Sequence, residues 1–458
     1  MANPLKDPDI RHVYVATLAL GLAYGVALSV IAIYLDERGF SKSDIGTLAA
    51  WFAGGIVCLS LPAGALIRRF SAKWVVTSAV VAYAIVTSLF PHANGYYTIA
   101  GLRFIDGAAS VCIWVSCETI LLARAQPGQK ALVTSLYAVF MAAGYILGPL
   151  VCRGLVSVWP LSTAFVVAGA LAALTAAYLL VFLSRRSEDG ALDYAQELAV
   201  AGSAGALTTP TSSQPTPLGA GAHAATTQSA QADVAGPRAT AHGGETSPDS
   251  SRARGDLGNL NVLWRIKTSC FATFAYGYFQ ASVVLFLPLY LMNEKGVAKP
   301  DTIYVTACFA LGMVLFTNPA GRVGDRIGHL LTMRALAILG TAMIASFTLL
   351  DSFPLMLGAV FVAGATLASI SPMSLALQGL VVPAKEYSRA TAIYNAFYAA
   401  GMLVGPPISS WLFDHVGGAP MLEHLVGLWI LFILFTLVFR RDDPAFKAPR
   451  KLSERPAS

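Results

Sequence analysis

The sequence predicts an all-α integral membrane protein with twelve transmembrane helices in two pseudo-symmetric six-helix bundles, and three observations carry that prediction. Of its 458 residues 56% are hydrophobic and 12% charged, with a mean hydropathy of +0.62, whereas soluble domains carry about 25% charged residues. The apolar residues fall in long continuous runs and not in alternating short strands. Lipid offers backbone N–H and C=O groups no partners, so such runs must cross it as helices. The third observation is a repeat between the two halves of the chain at one constant offset of 257 residues.

At about 20 residues per crossing, six spans fall near 12–35, 44–67, 74–91, 96–123, 131–156 and 160–183. Six more follow near 266–292, 302–320, 331–350, 354–381, 389–413 and 421–439. The chain thus divides into an N-terminal bundle (1–186), a disordered cytoplasmic linker (187–256), a C-terminal bundle (257–441) and a cytoplasmic tail (442–458). The linker is rich in Ala, Gly, Ser, Thr and Pro and has few large apolar residues to bury, so it reads as a tether between halves. A regulatory or partner-binding loop is the other reading of it. The first apolar run, although preceded by Lys6 and Arg11, is too long for a cleaved signal and is expected to remain as a span.

The net charge of +6 reports topology here, not nucleic-acid binding. With the N-terminus inside, the inner side collects Lys6, Arg11, Arg68, Arg69, Lys73, Arg124, Lys130, Arg322, Arg326, Arg334, Lys385, Arg389 and the basic tail. The outer side holds Arg38, Lys42, Lys295 and Lys299, with Arg153 near the outer end of its span. Both termini are therefore expected in the cytoplasm, in accord with an even number of crossings. The six cysteines show no CxxC spacing, so neither a metal site nor a disulfide framework is expected. No Gly-x-x-x-x-Gly-Lys-Ser/Thr loop is present to use ATP directly.

The repeat is clearest in loops, where a chance match is harder than in an apolar window. Glu37, Arg38, Gly39, Lys42 and Asp44 correspond to Glu294, Lys295, Gly296, Lys299 and Asp301, and Gly64 with Arg69 corresponds to Gly321 with Arg326. Thr134, Tyr137, Phe140, Gly144, Gly148 and Pro149 recur as Thr391, Tyr394, Phe397, Gly401, Gly405 and Pro406. Two parallel six-helix halves about an axis along the membrane normal place a ligand site between them near mid-membrane.

The segment Gly321-Arg322-Val323-Gly324-Asp325-Arg326-Ile327-Gly328-His329 closely resembles the G-x-x-x-D-R-x-G-R/K signature of the major facilitator superfamily. The resemblance implies a cytoplasmic gating loop in which Gly321 and Gly328 let helix ends approach and Asp325 and Arg326 supply a charge-assisted clasp. The first-half copy carries Arg68 at the acid's position and Ser71 at the second glycine's, so that clasp is expected in the second half. Gly144, Gly148 and Pro149, with Gly401, Gly405 and Pro406, resemble the family's helix pivots, where small residues permit close packing and proline permits a bend. The first set also resembles the core of the family's antiporter motif, and on that resemblance export is expected ahead of uptake.

The fourth span, LRFIDGAASVCIWVSCETILL, carries Arg103, Asp106 and Glu118 and resembles the YcaD-like branch of that superfamily. A charge at the centre of a span costs about 2.5–3.5 kcal/mol on insertion scales, so these three should face the bundle interior. Asp106 and Glu118 lie about 60° to either side of Arg103 on the helix, with Glu118 about 22 Å further toward the cytoplasm. One reading makes Arg103 the anchor of an anionic or polar solute and Asp106 or Glu118 a proton carrier, since a carboxyl withdrawn from water binds its proton more readily. The other makes Arg103 and Asp106 a structural pair and bonds Glu118 to a neighbouring helix. Tyr24, Trp114, Tyr276, Tyr278 and Gln280 are the candidates for lining the cavity.

These features describe a secondary active transporter of the inner membrane, coupled to protons, that moves a small solute by alternating access. The alternative is a non-transporting sensor or scaffold that uses the same fold and its linker. An enzyme is not expected, because no nucleophile, base and orienting group recur at usable spacing. No cofactor and no nucleic acid are expected; the partners are solute, protons and membrane lipid, and the chain is expected to act as a monomer.

Overall fold

A computed structural model of the chain describes residues 7–125, 130–184, 248–383 and 386–443. Twelve long helices run through them: α1 (Pro8–Glu37), α2 (Lys42–Phe70), α3 (Ala72–Leu89), α4 (Tyr96–Arg124), α5 (Lys130–Val156) and α6 (Ser162–Phe182) in the first half. The second half holds α7 (Pro248–Asn293), α8 (Tyr304–Ile327), α9 (His329–Phe347), α10 (Phe353–Val381), α11 (Tyr387–His415) and α12 (Gly418–Val438). There is no β-strand among the described residues. Eleven of the twelve are long and apolar enough to cross a membrane. The exception, α11, has Gly401, Gly405, Pro406, Pro407, Ser409 and Ser410 along its middle. It packs against α7 and α2 between the halves, where small and polar residues serve better than apolar bulk.

Most of the expected linker, 187–247, lies outside the described residues, but α7 already begins at Pro248. Counting apolar residues finds only the part of a helix that lipid surrounds, so the polar start of α7 carries no signal that separates it from a linker. The second bundle also reaches past 441. Asp442 accepts from Lys267 Nζ at 2.7 Å and Asp443 accepts from the Leu330 backbone at 3.0 Å, so the two acids bind the middle of α7 and the start of α9. The first bundle has a comparable clasp: the buried Asp9 takes Arg124 Nη2 at 2.6 Å and the Ser184 hydroxyl at 2.7 Å, tying α1, α4 and the end of α6.

Local chemistry starts and ends these helices. Asp7 caps α1 through the backbone N–H of Asp9 at 2.8 Å, and Ser41 with Asp44 forms a capping box on α2. Between α2 and α3 a single residue, Ser71, turns the chain at φ +69, ψ 153, and its counterpart between α8 and α9 is Gly328 at φ +104. That region is essentially reserved for glycine, so Ser71 is strained where Gly328 is not.

The repeat is visible in the packing. In the first half α1 pairs with α5, α2 with α4 and α3 with α6; in the second α7 pairs with α11, α8 with α10 and α9 with α12. A Cβ on Gly107 would strike the carbonyl of Phe52, and one on Gly55 the carbonyl of Phe104. The same contacts recur, 257 residues on, between Gly364 and Phe309 and between Gly312 and Phe361. In α1 and α5, Gly21 and Gly25 meet Gly144 and Gly148, where an added Cβ on Gly148 would lie 2.6 Å from the Gly25 Cα.

Two stability outcomes follow. Ser71→Gly should raise the unfolding midpoint in detergent, the strain removed being worth about 1 kcal/mol of stability. Gly364→Ala should lower it by about 1–3 kcal/mol, since the α8 and α10 backbones must separate. Equal midpoints for wild type and Ser71→Gly would show that the turn is unstrained.

Candidate functional site

The bundle has two faces. One, where α1 begins and α12 ends, carries Arg68, Arg69, Arg124, Arg326, Arg440 and Arg441 and is called the basic face here. At the other, the far face, the halves are joined. Asp414 at the end of α11 accepts from the backbone N–H groups of Lys42 (3.0 Å) and Ser43 (2.6 Å) at the start of α2. Arg153 of α5 pairs with Asp301, just before α8, at 2.9 Å, and Lys299 pairs with Glu37 of α1. A carboxylate at a helix N-terminus meets unpaired N–H groups and the positive end of the helix dipole, so Asp414 is well placed to hold α2.

Behind this closure lies a cavity of about 880 Å³, part of it open. The first half supplies its charge and most of its rings: Arg103 and Asp106 from α4, Tyr24 from α1, Phe52 from α2, Tyr83 from α3 and Phe90 just after it, Tyr145 from α5 and Phe165 from α6. The second half supplies Gln280, Ala281, Val284 and Leu285 of α7 and Met402 and Pro406 of α11. Arg103 and Asp106 are one turn apart, and Nη1 donates to Oδ2 at 2.5 Å. The guanidinium carbon stands 4.4 Å from the centre of the Phe52 ring, a cation–π contact. Ser110 donates to Asp106 Oδ1 at 3.5 Å and bonds the Tyr24 hydroxyl at 2.8 Å, so α1 and α4 share one polar chain. Across the cavity the Tyr398 hydroxyl donates to Gln280 Oε1 at 3.0 Å.

The structure brings together Tyr24, Arg103, Asp106 and Gln280 in the lining of one cavity, with Pro406 from the pivot set. Trp114, Tyr276 and Tyr278, expected in the lining, stand elsewhere. Trp114 is buried behind Tyr24, with ring centres 6.5 Å apart. Tyr276 donates to Met313 Sδ at 3.9 Å, and Tyr278 packs against Gly405 and the His424 ring, 5.7 Å away. These helices are apolar on nearly every side, so sequence periodicity did not say which face turns inward. The inward direction of Phe52, Tyr83 and Tyr145 is hidden in the sequence for the same reason.

Glu118 lies outside the cavity lining, two per cent exposed, and its Oε2 has no hydrogen-bond partner among the described residues. A bond to a neighbouring helix, one of the two expectations for it, is not made among the described residues. Cys117 and Tyr137 are its titratable neighbours. Gly321, Asp325 and Arg326, expected in a loop, lie in the last two turns of α8, and only Gly328 breaks the helix. The reason is that a short polar run extends a helix beyond lipid as readily as it ends one. Asp325 meets His329 Nε2 at 3.3 Å, not Arg326, whose side chain is exposed.

The second half contains a smaller copy of the cavity, about 330 Å³, and its lining is wholly apolar. Phe309, Met343, Ile344, Phe347, Val360, Ala363 and Leu422 line it. They are the 257-residue counterparts of Phe52, Val86, Thr87, Phe90, Arg103, Asp106 and Phe165. The repeat therefore duplicated the frame, and only one copy carries the ion pair.

Residues 13–259 and 269–458 match the family model of the Major Facilitator Superfamily. The chain belongs to that superfamily. It is 20% identical over 429 residues to the uncharacterized MFS-type transporter YcaD of Escherichia fergusonii, covering 92% of this chain and 93% of YcaD. Over 143 residues it is 22% identical to the quinolone resistance protein NorA of Staphylococcus aureus, 31% of this chain and 37% of NorA. The crystal structure of the nucleoside transporter NupG superposes with a TM-score of 0.69 at 13% identity, covering 96% of this chain and 99% of NupG. At that identity the likeness establishes the shared superfamily fold.

Asp414→Ala should loosen the far face. Loss of the cap is worth about 1 kcal/mol, roughly fivefold in the population of an open far face. Spin labels at Ser157→Cys and Val416→Cys, in a Cys58→Ser background, should then show longer distances. An unchanged distance distribution would leave Asp414 no part in closure.

Proposed function

We propose that this superfamily member is a secondary active transporter that carries a small, largely apolar solute bearing a polar group across a bacterial inner membrane, coupled to protons. The observation that carries the reading is a buried ion pair in an aromatic cavity at the junction of two bundles, closed at one face by contacts between the bundles. A buried charged pair costs more than an apolar pair of the same volume unless it does something else, so its position in the lining argues for use. The names of YcaD and NupG both say transporter, and the three names share no cargo, so the solute class is argued from the site.

The basic face is assigned to the cytoplasm by the excess of Arg and Lys there, with both termini on that side. The α1–α5 glycine contact and the α7–α11 pair hold each bundle together, while the α2–α11 and α5–α8 seams between bundles separate and re-form as the halves rock. In this reading the far-face links break as the basic face closes, and Asp325 and Arg326 at the end of α8 then face the first half. Gly144, Gly148 and Pro149 pack α5 on α1, a contact that import and export both need. Direction therefore rests on how solute and proton binding are linked.

Arg103 is the solute anchor and Asp106 the acid nearest it. Glu118 is a second proton stop, about 18 Å from Asp106 along the same helix toward the cytoplasm. An unpartnered buried oxygen costs about 1–3 kcal/mol, a cost that a purely structural side chain has no reason to bear. Membrane lipid surrounds a monomer.

The test is a thermal-shift screen of the detergent-solubilised chain against a broad metabolite and drug library at two pH values, followed by flux in proteoliposomes. A stabilising compound should be carried by the wild type and lose at least about tenfold in flux with Arg103→Ala, roughly 1.4 kcal/mol of binding. If no compound stabilises the chain and none is carried, the transport reading fails. Glu118→Gln should abolish accumulation driven by a pH gradient while leaving solute exchange at equal pH intact. Loss of exchange as well would make Glu118 structural.

A further inference from the structure

Arg103 has five N–H donors. Among the described residues one of them is used, Nη1 to Asp106 Oδ2, while the flat face of the guanidinium rests on Phe52. The group lines the cavity, so its other donors are left for an occupant. Asp106 is in the opposite condition: Oδ2 is taken by Arg103, and Oδ1 receives Ser110, which is itself bonded to Tyr24. With one of five Arg103 donors used and about half of the lone-pair sites of Asp106 taken, the polar end of the cavity offers more free donors, in a planar fork, than free acceptors. Its walls are rings and aliphatic chains, Tyr83, Phe90, Phe165, Ile31, Val284 and Met402 among them.

A planar fork of donors fits a planar acceptor-only group, and a carboxylate accepts two parallel N–H bonds from it. From this geometry, and resting on the transport reading above, we infer that the solute is a monoanionic organic acid with an apolar or aromatic body and that it binds together with one proton. The proton follows from the charges. A solute carboxylate on Arg103 becomes the second anion on one guanidinium, beside Asp106, in a site largely withdrawn from water. Two carboxylates so placed do not both stay ionised. One proton from water therefore settles on the pair, and the loaded cavity has the same net charge as the empty one.

The groups facing Asp106 make it the site of that proton. On its own helix stand Arg103 and Ser110. α1, α3 and α5 present the phenols of Tyr24, Tyr83 and Tyr145, and phenols hold their protons at neutral pH. α2 presents Phe52, and α7 and α11 present Gln280 and Met402, none of which titrates. Arg103 and Asp106 are the only charged side chains in the lining among the described residues. Anion and proton then cross in the same direction. An inward proton gradient drives uptake, the reverse of the export expected from the α5 motif.

The probes that test this are benzoate, 3-phenylpropionate and 1-naphthoate, each beside the amide and the primary amine of the same skeleton, on the full chain in detergent. Carboxylates should stabilise the wild type and the matched amides and amines should not. Carboxylate affinity should rise about tenfold for each unit of falling pH while Asp106 is ionised in the empty protein, as linkage to one proton requires. In weakly buffered solution a pH indicator should register one proton taken up per carboxylate bound. Asp106→Asn should bind carboxylates with no pH dependence and no proton uptake, and Arg103→Ala should bind none.

Carboxylate binding without proton uptake by the wild type overturns the coupling, and this readout does not depend on any variant folding. Binding of the amines or amides in place of the carboxylates overturns the solute class but leaves the transport reading standing. Amine binding that expels a proton would place the cation on Asp106 and restore export. If none of the nine compounds binds, the organic-acid class is overturned, and the wider library screen with flux decides separately whether the chain transports at all.

Discussion

Where the backbones of α2 and α4 touch, Gly107 lies against the carbonyl of Phe52 and Gly55 against that of Phe104. Lipid gives apolar helices no reason to leave it for one another, so close approach at small residues is what holds them. This contact does more than hold. Gly107 follows Asp106 directly, and the residue whose carbonyl it meets is the one whose ring supports Arg103. The position of the ion pair relative to its aromatic support is thus set by a contact with no room for a methyl group. A side chain at Gly107 would move α2 away and leave the guanidinium on one hydrogen bond.

The same frame in the second half carries Val360 and Ala363 where the first has Arg103 and Asp106. Helix packing in the two halves is governed by glycine and the main chain, and the polar side chains are free to differ. Chemistry in one copy and plain packing in the other is therefore compatible with one architecture. It also accounts for the lopsided cavity, in which the second half contributes aliphatic wall and one amide.

The span count, the repeat and the inward pair on α4 were legible because each rests on a strong local cost: unpaired backbone in lipid, or a charge in it. Side-chain direction was not. Trp114, Tyr276 and Tyr278 have the composition of cavity residues, but a helix apolar on all sides gives no moment from which to read its orientation. Tyr83 and Tyr145 were equally invisible. The partners of the pivot glycines could have been found: Gly21 and Gly25 stand four apart in α1, the spacing that marked Gly144 and Gly148 in α5. Ser71 departs visibly from the motif in sequence, but its strained backbone appears only in the turn itself.

The distribution of polar contacts explains how such a molecule can move as two bodies. Two clasps within the bundles are better protected: Arg124 and Asp9 are 25% and 4% exposed, and Lys267 and Asp442 14% and 18%. Between the bundles the links are wetter, with Arg153 and Asp301 at 32% and 37% and Lys299 and Glu37 at 37% and 41%. Ion pairs in contact with water contribute about 0–1 kcal/mol each, since solvent replaces what separation removes. Protected pairs have no such replacement, so separating them costs more. The far face can therefore open at small cost while each bundle keeps its shape.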